Sequence, residues 1–150
     1  MKKIVVLGAG NELMKDEGVG VHIIRILQQR LPPSLSDAEL ADIGTSMNFD
    51  HLIEGADKII IIDAVQGGYQ PGTIYRFTPE QIESEHDVPT SLHEMGLLES
   101  LMMIELAGSK LAETVVIGIE PAEVELGLEL SQELKRQMPK IIQTVLEEIG

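Results

Sequence analysis

The sequence predicts an α/β fold: a three-layer sandwich with helices flanking a mostly parallel, twisted sheet of about five strands. Three observations predict it. Short apolar, β-branched runs recur along the chain, and amphipathic stretches of helical spacing lie between them. The clearest run, Lys58-Ile59-Ile60-Ile61-Ile62-Asp63, is continuous and does not alternate. A continuous run marks a strand buried on both faces, as parallel strands are when crossover helices cover them.

Taken in order, Ile4-Val5-Val6-Leu7 reads as a buried strand closed by Gly8-Ala9-Gly10. Val19, Ile23, Ile24, Ile26, Leu27 and Leu31 recur at helical spacing, so 19–31 is a helix, stopped by Pro32-Pro33. A weaker strand is expected at 39–42 and a short helix near 49–53, ahead of the central strand at 58–63. Gly67-Gly68 and Pro71-Gly72 punctuate the next loop, and 73–77 alternates as a half-exposed strand does. Residues 78–89 are polar and acidic, a surface loop. Residues 91–107 are helical, with Leu92, Met95, Leu98, Met102 and Leu106 on one stripe. A further buried strand spans 114–119 and ends at Pro121; a helix over 128–149, bent at Pro139, closes the chain. With no repeat, low-complexity tract or linker, 1–150 reads as one domain.

Composition narrows the function. The 150 residues are 43% hydrophobic and 24% charged with mean hydropathy +0.09, a globular balance. Eleven basic against 25 acidic residues give a net charge of −14, a field that repels nucleic acid and anionic lipid. Aromatic content of 3% leaves no platform on which bases could stack. Absence of cysteine removes disulfides, thiolate metal sites and cysteine nucleophiles. No apolar run approaches the roughly 20 residues of a membrane helix, and the first strand is too short for a signal peptide. A cytoplasmic protein is expected, as a monomer.

In parallel sheets chemistry collects at the carboxyl ends of strands. The first such loop, Gly8-Ala9-Gly10-Asn11-Glu12-Leu13, resembles a dinucleotide fingerprint but carries Leu13 where the third glycine is needed. Asp16 and Glu17 would also repel a pyrophosphate. His93-Glu94-Met95-Gly96-Leu97 lacks the second histidine of a zincin, and neither a nucleophile elbow nor a P-loop is present. What remains is Glu17, Asp63 and His93, two carboxylates and an imidazole at loop–element junctions, able to bind a divalent cation weakly. Each has a plainer reading alone: Asp63 as a strand cap, His93 as a structural histidine, Glu17 as an acid offsetting a helix N-terminus. His22, His51 and His86 read as structural or exposed, and Met95, Met102 and Met103 as core packing.

The pattern Gly-x-Gly-Asn-x-Leu-x-x-Asp-Glu-Gly-x-Gly at 8–20 resembles the opening signature of the hydrogenase maturation endopeptidases. The resemblance continues through Asp42-Ile43-Gly44-Thr45, Ile61-Ile62-Asp63-Ala64, Ser91-Leu92-His93 and Gly118-Ile119-Glu120-Pro121, in order along nearly the whole chain. It implies a protease that clips the C-terminal extension from the large-subunit precursor of a nickel–iron hydrogenase after nickel insertion. It places the family's metal-contacting and catalytic positions on Glu17, Asp63 and His93. Asp42, with Gly44, Thr45 and Asn11, falls on substrate-recognition positions. Nickel would arrive with the substrate, other divalent cations substituting in vitro. Ile43 departs from the glycine that the family often has there, and 78–89 matches no family motif. Hydrolysis through a polarised carbonyl and through metal-activated water both stay open. So do the rivals: a non-catalytic nickel-dependent chaperone on the same fold, a general metallopeptidase, and an acidic structural domain.

Overall fold

The expected strands form, and the order in which they pair creates the crevice that matters. The computed structural model describes residues 2–46, 49–78, 81 and 113–150. Strands β1 (Ile4–Ala9), β2 (Glu39–Gly44), β3 (Lys58–Ala64), β4 (Ile74–Phe77) and β5 (Glu113–Ile119) make one sheet in the order β2-β1-β3-β5-β4. The β1–β2, β1–β3 and β3–β5 pairs are parallel; β4 runs antiparallel along the outer edge of β5. From β1 the chain first steps to one side, to β2, and then crosses to β3 on the other. That reversal opens a crevice beyond the carboxyl ends of β1 and β3, where ligands bind in open α/β sheets.

Alternate residues of each buried strand feed two apolar clusters, which explains why the runs are continuous. Val6, Ile60, Ile62, Ile117 and Ile119 pack with Ile23, Ile24 and Leu27 of helix α1 (Val19–Arg30) and with Leu134, Ile141 and Val145 of helix α2 (Gln132–Ile149). The opposite face carries Val5, Leu7, Ile59, Ile61 and Val116, joined by Phe49 and Ile53. The helix expected at 91–107 and nearly all of the loop expected at 78–89 lie outside the described residues. Among the described residues no helix is long and apolar enough to cross a membrane.

Helix α1 lies unusually close to the sheet. A methyl group on Gly8 would stand 2.2 Å from the Gly20 carbonyl oxygen, and one on Gly20 would stand 2.2 Å from that of Ile62. Backbone therefore packs on backbone here, and the loop between β1 and α1 is held tight over the strand ends. The 3-10 turn Lys15–Gly18 completes that loop, so α1 starts only after Asp16 and Glu17, as expected.

Several boundaries differ from the sequence reading, most by one or two residues. Strand β2 continues to Gly44 because its last residues pair with Gly8 and Ala9. Residues Asp50–Leu52 form a 3-10 turn. The closing helix begins at Gln132, not 128. Ser131 caps it, accepting the Leu134 N–H at 3.3 Å, while residues 123–127 are drawn to the β1 loop by backbone hydrogen bonds. The apolar residue read as the first of the helix, Leu128, faces solvent instead. From there α2 runs through Pro139, which sits on the solvent side.

Replacing Gly8 by Ala should destabilise the protein by about 1–3 kcal/mol, because the helix backbone has no room to retreat. Urea denaturation would measure this, and Ala9→Ser, at a neighbouring position that already carries a Cβ, serves as control.

Candidate active site

The loop after β1 brings its glycines and acids to the end of β3. Gly10 has φ +120, a left-handed conformation open to glycine. Its N–H donates to the Gly44 carbonyl oxygen at 2.8 Å, joining the ends of β1 and β2. A side chain at Gly10 would collide with the Glu17 carbonyl oxygen, 1.9 Å away, and would reach Asp63 Oδ1 at 3.1 Å. Gly10 is thus the common neighbour of Gly44, Glu17 and Asp63, and its missing side chain is what lets them converge.

Asp63 is only 8% exposed at the end of β3, where Oδ1 accepts the Ala64 N–H at 2.7 Å. Burial pushes its carboxyl up to about 7; the Ala64 hydrogen bond opposes the rise, and the nearby Glu17 charge adds to it. Glu17 is half-buried on the 3-10 turn, near enough for its charge to act on Asp63. Two neighbouring carboxylates of this kind are the sort of oxygen donors that suit a divalent cation. His93, the third member of the expected set, lies outside the described residues. Among the described residues no group of three or more His, Asp or Glu side chains is placed to hold a metal ion.

The other expected contacts line the same edge. Asn11 Oδ1 accepts the Leu13 N–H at 3.0 Å and shapes the loop start. Gly44 turns the chain with φ +56, and Thr45 follows it, exposed. Asp42 is exposed and forms an ion pair with Arg25 at 3.6 Å, Arg25 also donating to Glu12 at 2.6 Å. Asp42 and Gly44 therefore lie at the carboxyl end of β2 with Thr45 after them, Asn11 and Glu17 lie in the loop after β1, and Asp63 lies at the end of β3.

Two further acids shape the site although sequence reasoning gave them no such role. Asp16, fully buried, accepts backbone N–H groups from Ala122 at 2.8 Å, Glu123 at 2.9 Å and Ser131 at 2.8 Å. It ties the turn that carries Glu17 to the segment between β5 and α2. Glu120, 6% exposed, accepts the N–H groups of Gly67 and Tyr69 and the Tyr75 hydroxyl, fastening the loop after β3. The Tyr75 phenol is pushed up to about 12 by burial and by that bond to a carboxylate. Position beside Glu17 was a signal for Asp16. A glutamate closing a buried strand was one for Glu120.

Two consequences are measurable. Asp16→Ala should cost about 3 kcal/mol in denaturant unfolding, as three amides lose a charged acceptor. Asp63 keeps its proton to a higher pH folded than unfolded, so its contribution to stability falls as pH rises from about 4 to about 7. In metal-free protein Asp63→Asn should therefore raise Tm more at pH 8 than at pH 5; an equal change at both would contradict the shifted carboxyl.

Comparison with known proteins identifies the family and the fold. Residues 21–148 match the family of hydrogenase maturation proteases. The hydrogenase expression/formation protein HoxM of Cupriavidus necator is 32% identical over 148 residues, covering 96% of this chain and 70% of that relative. HupD of Thiocapsa roseopersicina, also a hydrogenase expression/formation protein, is 32% identical over 148 residues, covering 97% of this chain and 66% of its own length. The chain thus spans about two thirds of the length of these two relatives. Among solved structures, the hydrogenase maturating endopeptidase HybD of Escherichia coli superposes with a TM-score of 0.80 at 28% identity, over 98% of this chain and 91% of that one. The chain belongs to the hydrogenase maturation protease family and is a hydrolase of the endopeptidase class.

Proposed function

We propose that this endopeptidase removes the C-terminal extension of a nickel-loaded nickel–iron hydrogenase large-subunit precursor, with the substrate's nickel docking on Glu17, Asp63 and His93. The observation that carries the reading is the meeting of Glu17 and Asp63 across Gly10 at the crevice between β1 and β3. Two acids, one of them buried, suit an incoming cation better than a neutral peptide alone. The chain has no cysteine, so an oxygen and nitrogen site competes poorly for free nickel. It can instead complete the coordination of nickel already held by the precursor's thiolates. Docking then reports that the precursor is loaded, and it sets the scissile peptide beside the site.

In this reading Asp63 and Glu17 supply negative charge to the metal, and their binding releases any proton Asp63 holds. Held there, the metal would polarise the scissile carbonyl or activate a water; the water oxygen adds to the peptide carbon, a water proton passes to the leaving amine, and the C–N bond breaks. Asp42, Gly44, Thr45 and Asn11 border the crevice and contact the precursor around the cut.

The experiment mixes purified protein with purified precursor, with and without nickel, and follows the large subunit by gel mobility. Trimming is expected only with nickel. Glu17→Gln, Asp63→Asn and His93→Ala should each slow it by about a hundredfold or more, with the fold intact. Equal trimming of nickel-free precursor, or full activity in His93→Ala, would overturn the nickel-docking reading.

A further inference from the structure

The segment between β5 and α2 carries an apolar ridge that neither fold nor crevice accounts for. Residues 123–129 read Glu-Val-Glu-Leu-Gly-Leu-Glu, alternating acidic and apolar around Gly127. Leu126 is 82% exposed, Leu128 66% and Val124 37%. Leu13, 56% exposed, joins them: Gly127 donates to the Leu13 carbonyl oxygen at 2.9 Å, Lys15 donates to that of Gly127 at 2.9 Å, and Met14 bridges Gly127 in parallel. Large aliphatic side chains grouped in solvent mark an interaction surface. An open hollow of about 360 Å³ lies beside them, bordered by Lys15, Leu128, Ser131 and Lys135.

The ridge is fastened to the site. The same backbone bonds lock it to the loop that carries Glu17, and Asp16 donates its N–H to the Glu123 carbonyl oxygen at 3.1 Å while its carboxylate holds Ala122, Glu123 and Ser131. Its electrostatics also differ from the −14 of the whole chain. Lys15 pairs with Glu123 and Glu125, each at 3.2 Å, and Lys135 with Glu129 at 3.7 Å. Two lysines thus meet three glutamates, so little net charge remains along the ridge and its exposed aliphatic side chains fit an apolar partner.

We infer that this ridge docks an extended apolar stretch of the substrate polypeptide flanking the cleavage site, the inference resting on the proposed proteolytic reading. An endopeptidase has to grip its chain beside the bond that breaks, and the ridge is the apolar surface locked to the Glu17 loop. A second copy of this chain fits less well. Four side chains offer a few hundred Å² on each copy, below the roughly 600–800 Å² per partner of a stable interface.

The test compares wild type with Leu126→Asp/Leu128→Asp and with Leu126→Met/Leu128→Met. Affinity for nickel-loaded precursor is measured by biolayer interferometry, trimming by KM and kcat, self-association by sedimentation, and folding by Tm. The Asp pair should weaken precursor binding and raise KM by about tenfold or more, leaving Tm and kcat unchanged. The Met pair should behave as wild type. Affinity retained in the Asp pair overturns the inference. So does a wild-type dimer that the Asp pair dissociates with precursor affinity unchanged, which would make the ridge a self-association surface. Binding that depends on the ridge without any trimming by wild type would support docking and fault the proteolytic reading instead; no binding by wild type overturns both.

Discussion

The molecule depends on backbone meeting backbone where α1 crosses the ends of β1 and β3. Gly8 and Gly20 remove the side chains that would hold helix and sheet apart, and Gly10 removes the one that would hold Glu17 from Asp63. Interiors are packed too densely to absorb a methyl group at such contacts. Three omitted side chains therefore set the position of the acids in the crevice more strictly than any favourable contact between them. The same closeness makes the first loop a rigid bracket, closed on its β2 side by the Gly10–Gly44 hydrogen bond.

Two buried aspartates, Asp16 in this bracket and Asp63 at the end of β3, have opposite surroundings. Asp16 receives three backbone N–H groups, so its charge is met by dipoles that do not move. Asp63 receives one N–H among the described residues, and its burial, with a smaller push from the charge of Glu17, raises its carboxyl to about 7. A fully satisfied carboxylate serves as an anchor. An under-satisfied one beside a second acid is open to a cation or a proton, and such perturbed groups cluster at functional sites. The two aspartates thus differ in their surroundings, not in their residue type.

The anchor also reaches outward. By holding residues 122, 123 and 131, Asp16 fixes the segment on which Val124, Leu126 and Leu128 stand in solvent. At the opposite end of the sheet, Lys58 and Arg76 both bind Glu148 and pin the end of α2. The rim of the crevice and the apolar ridge consequently belong to one framework, with no free hinge drawn between them by these contacts.

Much of this was legible in the chain itself. Continuous β-branched runs identified β1, β3 and β5, because burial on both faces leaves no position for a polar residue. The Gly-rich loop, the late start of α1 after Glu17, and Asp63 at a strand end followed from local chemistry that neighbours in sequence decide. Tertiary structure alone decided that β1 lies between β2 and β3, which sets the crevice beside Glu17 and Asp63. It alone made Asp16 an anchor, through partners 106, 107 and 115 residues away, and delayed α2 to Gln132. It also turned Leu128 from an expected helical residue into a solvent-facing one. Periodicity records which face of an element is apolar; which distant group meets a buried carboxylate depends on how the elements pack, and no local spacing encodes that.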